Sequence, residues 1–507
     1  APFRRSQEDR SMAPADIAFG LNTAFIVGIF ISGITSRPLL VVIFIFLAML
    51  ALRKFFAVRP GDSSGRANII HHLNVRNLCL FALVMFFGVF LHRFSANREV
   101  ALRILPKQSE APAVALAIGE PRPRGERAES VSLKLLPPNR GQVEAILVDR
   151  PDVRYGDRIA LSGGRWKIEA PNPPTLLFPN YIRIGRDEGQ PLLQALADIR
   201  RVFLGALRRF VPGEPSALLA GLTIGATEDF TSSFRDALRR SGTTHLVAVS
   251  GYNIGVIAIG AAAIFSLWLS RKLAFAATTV VIIAFVIITG AESSVVRAGV
   301  MGLLMLTAKH FGRPYGIRYA IAFAATAMLF LDPTLLSENI GFQLSFTSLL
   351  GITYLAPVFQ NLWFGAEAPP GIFAWRENLA TTAAAQLAVL PIIVGRFEAV
   401  SPAAIGANIL ILPVVPITMA LGGLVAISSV LAPMAEIIGR VATIFLVYQI
   451  TIIKIFAALP SITIPALASA GGMIIYYGGL IALTMKYQRK PKVVSDFRIA
   501  REAVKRP

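Results

Sequence analysis

Long apolar stretches, separated by short polar segments, make up most of this chain. A helix that crosses a bilayer needs about 20 predominantly apolar residues, and this rule predicts about twelve spanning helices. They cover residues 17–35, 38–57, 74–93, 243–269, 272–290, 294–311, 317–331, 340–357, 379–395, 403–431, 437–458 and 465–485. The mean hydropathy of +0.60 and the 54% of hydrophobic residues exclude a water-soluble enzyme of similar length. The pattern predicts an all-α polytopic membrane protein.

Residues 95–190 break this pattern. They hold no long apolar run, and short pieces near Val114, Val131, Val143 and Arg158 alternate between apolar and polar residues as strands do. Proline and glycine turn formers bound these pieces. The segment therefore predicts a small all-β domain. An OB-like barrel, whose open face suits single-stranded nucleic acid, is one candidate, and any small β-domain fits the periodicity equally well.

The segment that follows has helical spacing. From Leu192 to Phe210 apolar residues recur every three or four positions, with arginines off the stripe, which predicts an amphipathic helix in the membrane interface. The chain thus divides into N-terminal membrane helices (1–94), an external OB-like β-domain (95–190), amphipathic interfacial helices (191–241), a transmembrane domain (242–485) and a basic tail (486–507).

The basic residues predict the topology. The net charge is +20, and lysines and arginines concentrate before the first span, in alternate loops and in the tail. By the positive-inside rule both termini are cytoplasmic, and residues 95–241 lie outside. Arg37 and Arg396 fall on turns that this topology places outside.

Several polar side chains fall inside or at the ends of apolar segments, where they cost desolvation free energy. The positions are His245, Ser250, Asn253, Arg297, Gln343, Gln386 and Asn408. Such residues line a path through the membrane, or they form hydrogen bonds between packed helices. For Arg297 the alternatives are a contact to passing phosphates, a buried pair with Glu292, and snorkelling to the interface.

Several motifs, in order along the chain, resemble those of the ComEC family of competence proteins. Residues 245–255 read His-Leu-Val-Ala-Val-Ser-Gly-Tyr-Asn-Ile-Gly, which is similar to the family's central signature. Residues 297–301 (Arg-Ala-Gly-Val-Met) and 341–346 (Gly-Phe-Gln-Leu-Ser-Phe) resemble two later family elements. Residues 407–413 match a further helix, and residues 155–163 resemble the external OB-type domain.

The resemblance implies a channel or translocase that imports single-stranded DNA across the cytoplasmic (inner) membrane during natural transformation. The residues expected along the DNA path are His245, Ser250, Gly251, Asn253, Arg297, Gln343 and Asn408. The residues expected to contact DNA outside are Arg158, Arg165, Trp166, Arg200, Arg201, Arg208 and Arg209. For the arginines of the interfacial helix, anionic lipid or simple solvation is the alternative. The alternative function is a transporter or flippase for another anionic polymer or lipid.

Two features of the sequence depart from the family pattern, one a single residue and the other the C-terminal segment. Asn253 stands where many relatives have a second histidine, and the tail after residue 485 shows no His-x-His-x-Asp-His run of the metallo-β-lactamase-like domain that ends many relatives. We therefore expect a short form that needs a separate nuclease. A DNA receptor and a cytoplasmic ATPase or helicase are further expected partners, besides single-stranded DNA and membrane lipid. The energy for transport comes from such an ATPase or from an ion gradient, and the sequence leaves both open.

No enzymatic site is predicted. On a continuous helix His245 would lie about 140° around the axis from Ser250, too far for a serine–histidine dyad. The five histidines form no ligand cluster with carboxylates at metal spacing, and no phosphate-binding loop of the Walker type occurs. We expect no cofactor and no metal.

Overall fold

The computed structural model describes residues 14–34, 75–101, 112–119, 121–123, 128–148, 153–167, 174–186, 188–247, 249, 251–365, 375–397, 400–460, 462, 467 and 469–487. Two compact units emerge from the contacts. The first comprises Ala1–Phe346 and Leu410–Leu459, and the second comprises Thr347–Ile409 and Pro460–Pro507. The predicted span at 38–57 and the predicted tail at 488–507 lie outside the described residues.

The β-domain of the first unit is one sheet of eight strands. They are β1 Ala113–Ala117, β2 Arg122–Pro123, β3 Ala128–Leu135, β4 Gly141–Val148, β5 Arg158–Ser162, β6 Arg165–Lys167, β7 Thr175–Leu177 and β8 Asn180–Gly185. The order is β6-β7-β4-β3-β1-β5-β8, with β2 beside β3, and only β4 and β7 pair in parallel among these strands. The small sheet is confirmed, whereas its OB character stays a prediction.

Alternation along the strands builds the core of this sheet. In β3 the side chains of Val131, Leu133 and Leu135 are buried, while Ser132 and Lys134 point to the other face and are exposed. This period of two is what the pleat of a strand requires, and it explains why the apolar alternation in the sequence located β1, β3, β4 and β5.

The helices of the described residues make up the rest of both units. They are α1 Pro14–Ile34, α2 Val75–Ala101, α3 Pro191–Phe210, α4 Glu214–Ile224, α5 Ser232–Arg240, α6 Thr244–Val247, α7 Gly251–Trp268, α8 Arg271–Ile288, α9 Ser293–His310, α10 Ile317–Leu331, α11 Leu335–Glu338, α12 Ile340–Tyr354, α13 Ala356–Phe364, α14 Trp375–Phe397, α15 Ala403–Ile411, α16 Val415–Ser428, α17 Ala432–Ala457 and α18 Ala470–Tyr487.

Four of these helices are individually long and apolar enough to cross a membrane, or six if two interrupted helix pairs each count as one span. The four spans lie within α1, α8, α14 and α17, and the interrupted pairs are α12 with α13 and α15 with α16. Shorter apolar helices occur in α2, α7 and α10. The chain is therefore a helical membrane protein, and the number of twelve spans stays a prediction.

The predicted span at 243–269 is wrong at its start. Helix α6 ends at Val247 and α7 begins at Gly251, so the apolar sequence does not form one continuous helix. Gly242, with a φ of +70°, and Gly251 flank the short helix, and glycine is a poor helix former in a helix interior. The polar cluster of the sequence is therefore divided between two elements.

Helix α4 lacks the amphipathic pattern expected for residues 191–241, whose interfacial placement stays a prediction. Nine of its residues, from Ser216 to Ile224, are buried. A Cβ added at Gly422 would lie 2.9 Å from the side chain of Leu219, so α4 packs closely on α16. A helix that is apolar on all sides is a buried helix. Helix α3 is amphipathic, but Leu207, which the sequence assigned to the membrane-facing stripe, is fully buried.

Candidate functional site

The most unusual polar group of the first unit is Arg297, near the start of α9. Only 9% of the residue is exposed. Its Nε donates a 2.6 Å hydrogen bond to Oγ of Ser345 on α12. The guanidinium carbon lies 5.8 Å from the ring centre of Phe346, and Nη1 lies 4.0 Å from Sδ of Met301. The guanidinium is therefore fixed in an apolar pocket between α9 and α12.

This cation has no acidic partner in the described part of the chain. No Asp or Glu oxygen there lies within the 4 Å of an ion pair, so the pair with Glu292 that the sequence offered does not form. Burial raises the pKa of Tyr315 in the loop before α10, while the nearby Arg297 lowers it. A neutral tyrosine supplies no counter-charge, so the charge of Arg297 remains uncompensated by these residues.

The N-terminal end of α7 faces the same guanidinium. A Cβ added at Gly251 would lie 3.5 Å from Nη2 of Arg297 and 3.5 Å from Cβ of Ala298. The first four amides of a helix have no partner within the helix, and the helix dipole places partial positive charge at this end. The neighbouring backbone is held in place because Oγ of Ser294 donates a 2.9 Å hydrogen bond to the carbonyl of Val249.

Asn253, one turn into α7, has a structural contact. Its residue is 2% exposed, and Nδ2 donates a 2.9 Å hydrogen bond to the carbonyl of Leu222 in α4. Helix α4 ends in a left-handed Gly225, and the amides of Gly225 and Ala226 return to the carbonyls of Gly221 and Ala220. This geometry leaves the carbonyl of Leu222 without a backbone donor, and Asn253 supplies one.

The other residues predicted for the path are dispersed. His245 is exposed on the short helix α6, and Ser250 lies outside the described residues. Nε2 of Gln343 donates to the carbonyls of Leu336 and Ser337, at 2.9 and 3.1 Å. In the second unit Asn408 is 2% exposed, and its Oδ1 has no hydrogen-bond partner among the described residues. Within the first unit, the structure brings together Gly251 and Arg297.

The residues of the β-domain that were expected to contact DNA differ in their surroundings. Arg158 on β5 lies 3.5 Å from a carboxylate oxygen of Glu188. Trp166 on β6 packs against the apolar core of the sheet, whereas its neighbour Arg165 is exposed. Of these three, Arg165 therefore presents the most accessible side chain for a ligand.

Carboxylates already pair with the arginines of α3. Nη2 of Arg200 lies 2.8 Å from Oε1 of Glu228, and Nε of Arg208 lies 2.7 Å from Oδ2 of Asp229. Arg201 pairs with Asp198 on the same helix, and Arg209 lies over the ring of Phe210 at 5.2 Å. Ionic contacts within the protein thus compete with any anionic ligand at three of the four arginines.

The break between α6 and α7 also changes the basis of one sequence argument. The angle of about 140° between His245 and Ser250 holds only for a continuous helix, and α6 and α7 are two separate helices, so this angle does not apply.

Among the described residues, no three His, Cys, Asp or Glu side chains are placed to hold a metal ion.

Sequence reasoning missed three sets of contacts. Ser345 and Phe346 lie in the quoted motif 341–346, two and three positions after Gln343, yet only the structure shows that they hold Arg297. Nζ of Lys454 on α17 lies 2.6 Å from Oε2 of Glu214. The acidic partners of Arg208 and Arg200 lie 21 and 28 positions away, beyond any local pattern.

These features define a polytopic membrane protein with a small β-sheet and a buried arginine that lacks a counter-charge among the described residues. Residues 222–490, more than half of the chain, match the model of the competence protein family, and the chain belongs to this family, the ComEC family. The resemblance found in the motifs is thereby confirmed.

A curated relative supports this assignment. A segment of 216 residues is 25% identical to ComE operon protein 3 of Bacillus subtilis (strain 168). The segment is 42% of this chain and 26% of the relative, so the similarity spans about a quarter of the relative's length. No solved structure is significantly similar to the chain.

Proposed function

We propose that this protein conducts single-stranded DNA inward across the cytoplasmic membrane during natural transformation. Membership of the competence family supports a role in DNA uptake. The observation that carries the proposal to this chain is the buried Arg297 with no carboxylate partner among the described residues.

The physical argument concerns charge. A DNA strand carries one negative charge per nucleotide, and moving such a polymer through an apolar medium without cations is prohibitive. A buried arginine without a counter-charge is itself costly, about 2.5–3.5 kcal/mol on insertion scales, and residues of this kind mark substrate pathways. The negative phosphates of the passing strand offset the desolvation cost of the arginine, and the arginine offsets the desolvation cost of the phosphates.

The remaining parts of the proposal follow from charge and family. Both termini are cytoplasmic, and residues 95–241 face outward, where the β-domain and α3 receive the strand. The chain itself acts without catalysis, so a separate nuclease removes the other strand. A DNA receptor outside and an ATPase or helicase in the cytoplasm complete the machinery.

The test is DNA entry into competent cells. Cells with and without the gene receive fluorescent double-stranded DNA, external label is removed with nuclease, and internal label is counted. We expect internal label to fall to background in the deletion strain and to return on complementation. Uptake that is unchanged by the deletion would overturn the proposal. A deletion that instead alters the leaflet distribution of a labelled anionic lipid would favour a lipid transporter.

A further inference from the structure

We propose that the ring of Phe178, between β7 and β8, is a stacking surface for a base of single-stranded DNA, and that Arg165 beside it contacts a phosphate of the same strand. The inference deepens the proposed function and rests on it for the identity of the ligand. It gives the aromatic contact of the β-domain to Phe178 and not to Trp166, the aromatic residue expected from the sequence.

Phe178 is the most exposed aromatic residue in the described part of the β-domain. Its side chain belongs to a residue that is 59% exposed. Trp166 and Tyr181 pack against the apolar core of the sheet, and Tyr155 is half-buried. A base stacks on an aromatic face that is open to solvent. Of these four residues, Phe178 offers such a face.

The backbone holds Phe178 in a fixed and unfavourable conformation. Its φ of +52° lies in the left-handed region, which is costly for a residue with a Cβ. Its N–H donates a 3.0 Å hydrogen bond to the carbonyl of Ile146 on β4. A Cβ added at Gly164 would lie 2.9 Å from the carbonyl oxygen of Leu177 and 3.1 Å from Cα of Pro179, so the turn before β6 packs directly on this segment.

Strain and exposure together argue for a ligand at Phe178. An apolar side chain stabilises the fold in proportion to the area that it buries, so a ring that is mostly in water contributes little. Glycine or asparagine would adopt the same backbone conformation at lower cost. Residues held in such conformations cluster at ligand-binding positions. A ligand that covers the ring therefore accounts for a phenylalanine at this position.

The charges beside Phe178 favour an anionic ligand. Arg165 stands opposite Leu177 in the ladder between β6 and β7, so it is a cross-strand neighbour of the segment that carries Phe178. Arg165 is exposed, and in the described part of the chain no carboxylate lies within ion-pair distance of it. Lys167, two positions along β6, is exposed on the same face. Single-stranded DNA supplies both a base for the ring and phosphates for the cations.

The experiment compares two strands that differ only in their bases. The full chain, purified in detergent, is titrated with fluorescent oligothymidine and with an abasic strand of the same length, at one salt concentration. We expect Phe178→Asn to lower the affinity for oligothymidine at least about fivefold, because stacking of one base contributes at least that factor. The affinity for the abasic strand should not change. Phe178→Trp keeps a ring and should bind oligothymidine at least as tightly as the wild type.

Ile182→Asn is the matched control. Ile182 is 71% exposed on β8, at the opposite end of the strand order from β6, and its loss should leave both affinities at the wild-type values. Arg165→Gln should lower both affinities, because it removes a contact to phosphate.

Stability gives an independent readout. Phe178→Asn should unfold at the wild-type temperature or above it, because asparagine adopts the left-handed conformation more readily than phenylalanine. A ring with a purely structural role predicts the opposite, namely a lower unfolding temperature.

Equal oligothymidine affinity in Phe178→Asn and Ile182→Asn would overturn the stacking role, and so would an equal loss of affinity for both strands in Phe178→Asn. The indole added by Phe178→Trp tests the membrane surface as the alternative ligand. Its quenching by oligothymidine supports the stacking role, whereas quenching by a brominated detergent alone places the ring in lipid and overturns it.

Two further outcomes separate this site from the proposed function. If Phe178→Asn loses base-dependent binding but deletion of the gene leaves DNA entry unchanged, the proposed function fails while the site stands. If deletion abolishes entry but Phe178→Asn binds oligothymidine normally, the site fails while the function stands.

Discussion

The hydroxyl of Tyr476 donates a 2.8 Å hydrogen bond to the carbonyl of Leu387, the acceptor that Pro391 leaves free in the middle of α14. A proline has no N–H, so the carbonyl four residues before it loses its helical donor. The next tyrosine of α18, Tyr477, donates at 3.1 Å to the carbonyl of Ala388. Two tyrosine hydroxyls of α18 thus donate to backbone carbonyls of α14 three and four residues before its internal proline.

Tyr476→Phe is predicted to destabilise the protein by about 1 kcal/mol, since a partly buried carbonyl then has no donor. The double substitution Tyr476→Phe with Pro391→Ala should lose much less, because alanine in place of the proline restores the backbone N–H. Tyr477→Phe is the control, and it should cost less, because Ala388 keeps the helical donor of residue 392. The unfolding midpoints of the purified single and double variants measure how strongly the effects of the two substitutions depend on each other. Additive effects of the two substitutions would contradict the assignment.

Removal of the amide of Asn253 is predicted to destabilise the contact between α4 and α7. Asn253→Leu keeps the branched shape of the side chain but has no donor for the carbonyl of Leu222, so we expect a loss of about 1–3 kcal/mol. Asn253→His should be tolerated better, because an imidazole N–H can donate to the same carbonyl. The fraction of folded protein after heating measures the effect.

Asn22→Leu provides the control for that change. Nδ2 of Asn22 donates at 2.9 Å to the carbonyl of Ala18 within an exposed part of α1, and that carbonyl also has its helical donor. The control should therefore shift stability little. If Asn253→Leu proves as stable as Asn22→Leu, the hydrogen bond to Leu222 is unimportant.

Much of this fold was predictable from local pattern, and the contacts of the site were not. Alternation located β1, β3, β4 and β5 because burial in a sheet has a period of two. The break before Gly251 does not follow from the hydrophobic pattern, because apolar residues continue on both sides of it. The partner of Asn253 lies 31 positions away, and a carbonyl freed at a helix end has no signature in the sequence. Arg297 was found because a charge in an apolar run is conspicuous, yet its isolation from the described carboxylates needed the structure.

Neutralising the acidic partners of α3 is predicted to strengthen DNA binding by the purified chain. With Glu228→Gln and Asp229→Asn, Arg200 and Arg208 lose the ion pairs at 2.8 and 2.7 Å and become available to phosphates. Each added phosphate contact should steepen the dependence of log affinity on log salt by about 0.7 for a single strand. Titration of oligothymidine at several salt concentrations measures this slope.

Glu436→Gln is the matched control for the acidic partners. On α17, Nη2 of Arg440 lies 2.6 Å from Oε1 of Glu436 in an exposed ion pair. The substitution removes this ion pair and leaves the ion pairs of α3 unchanged. We expect the salt slope of this variant to equal that of the wild type. A double variant at Glu228 and Asp229 with an unchanged slope would remove these arginines from the DNA-contacting surface.

The most direct test of the central claim is the rate of DNA entry in cells that carry Arg297→Gln at wild-type levels in the membrane. Arg440→Gln, which removes an exposed arginine from the same unit, is assayed beside it. Entry is predicted to fall at least about tenfold in Arg297→Gln, because the strand loses one charge-assisted contact to a phosphate in the buried part of the path. In Arg440→Gln entry should stay near the wild-type rate. Wild-type entry in Arg297→Gln would contradict a path for DNA at this arginine.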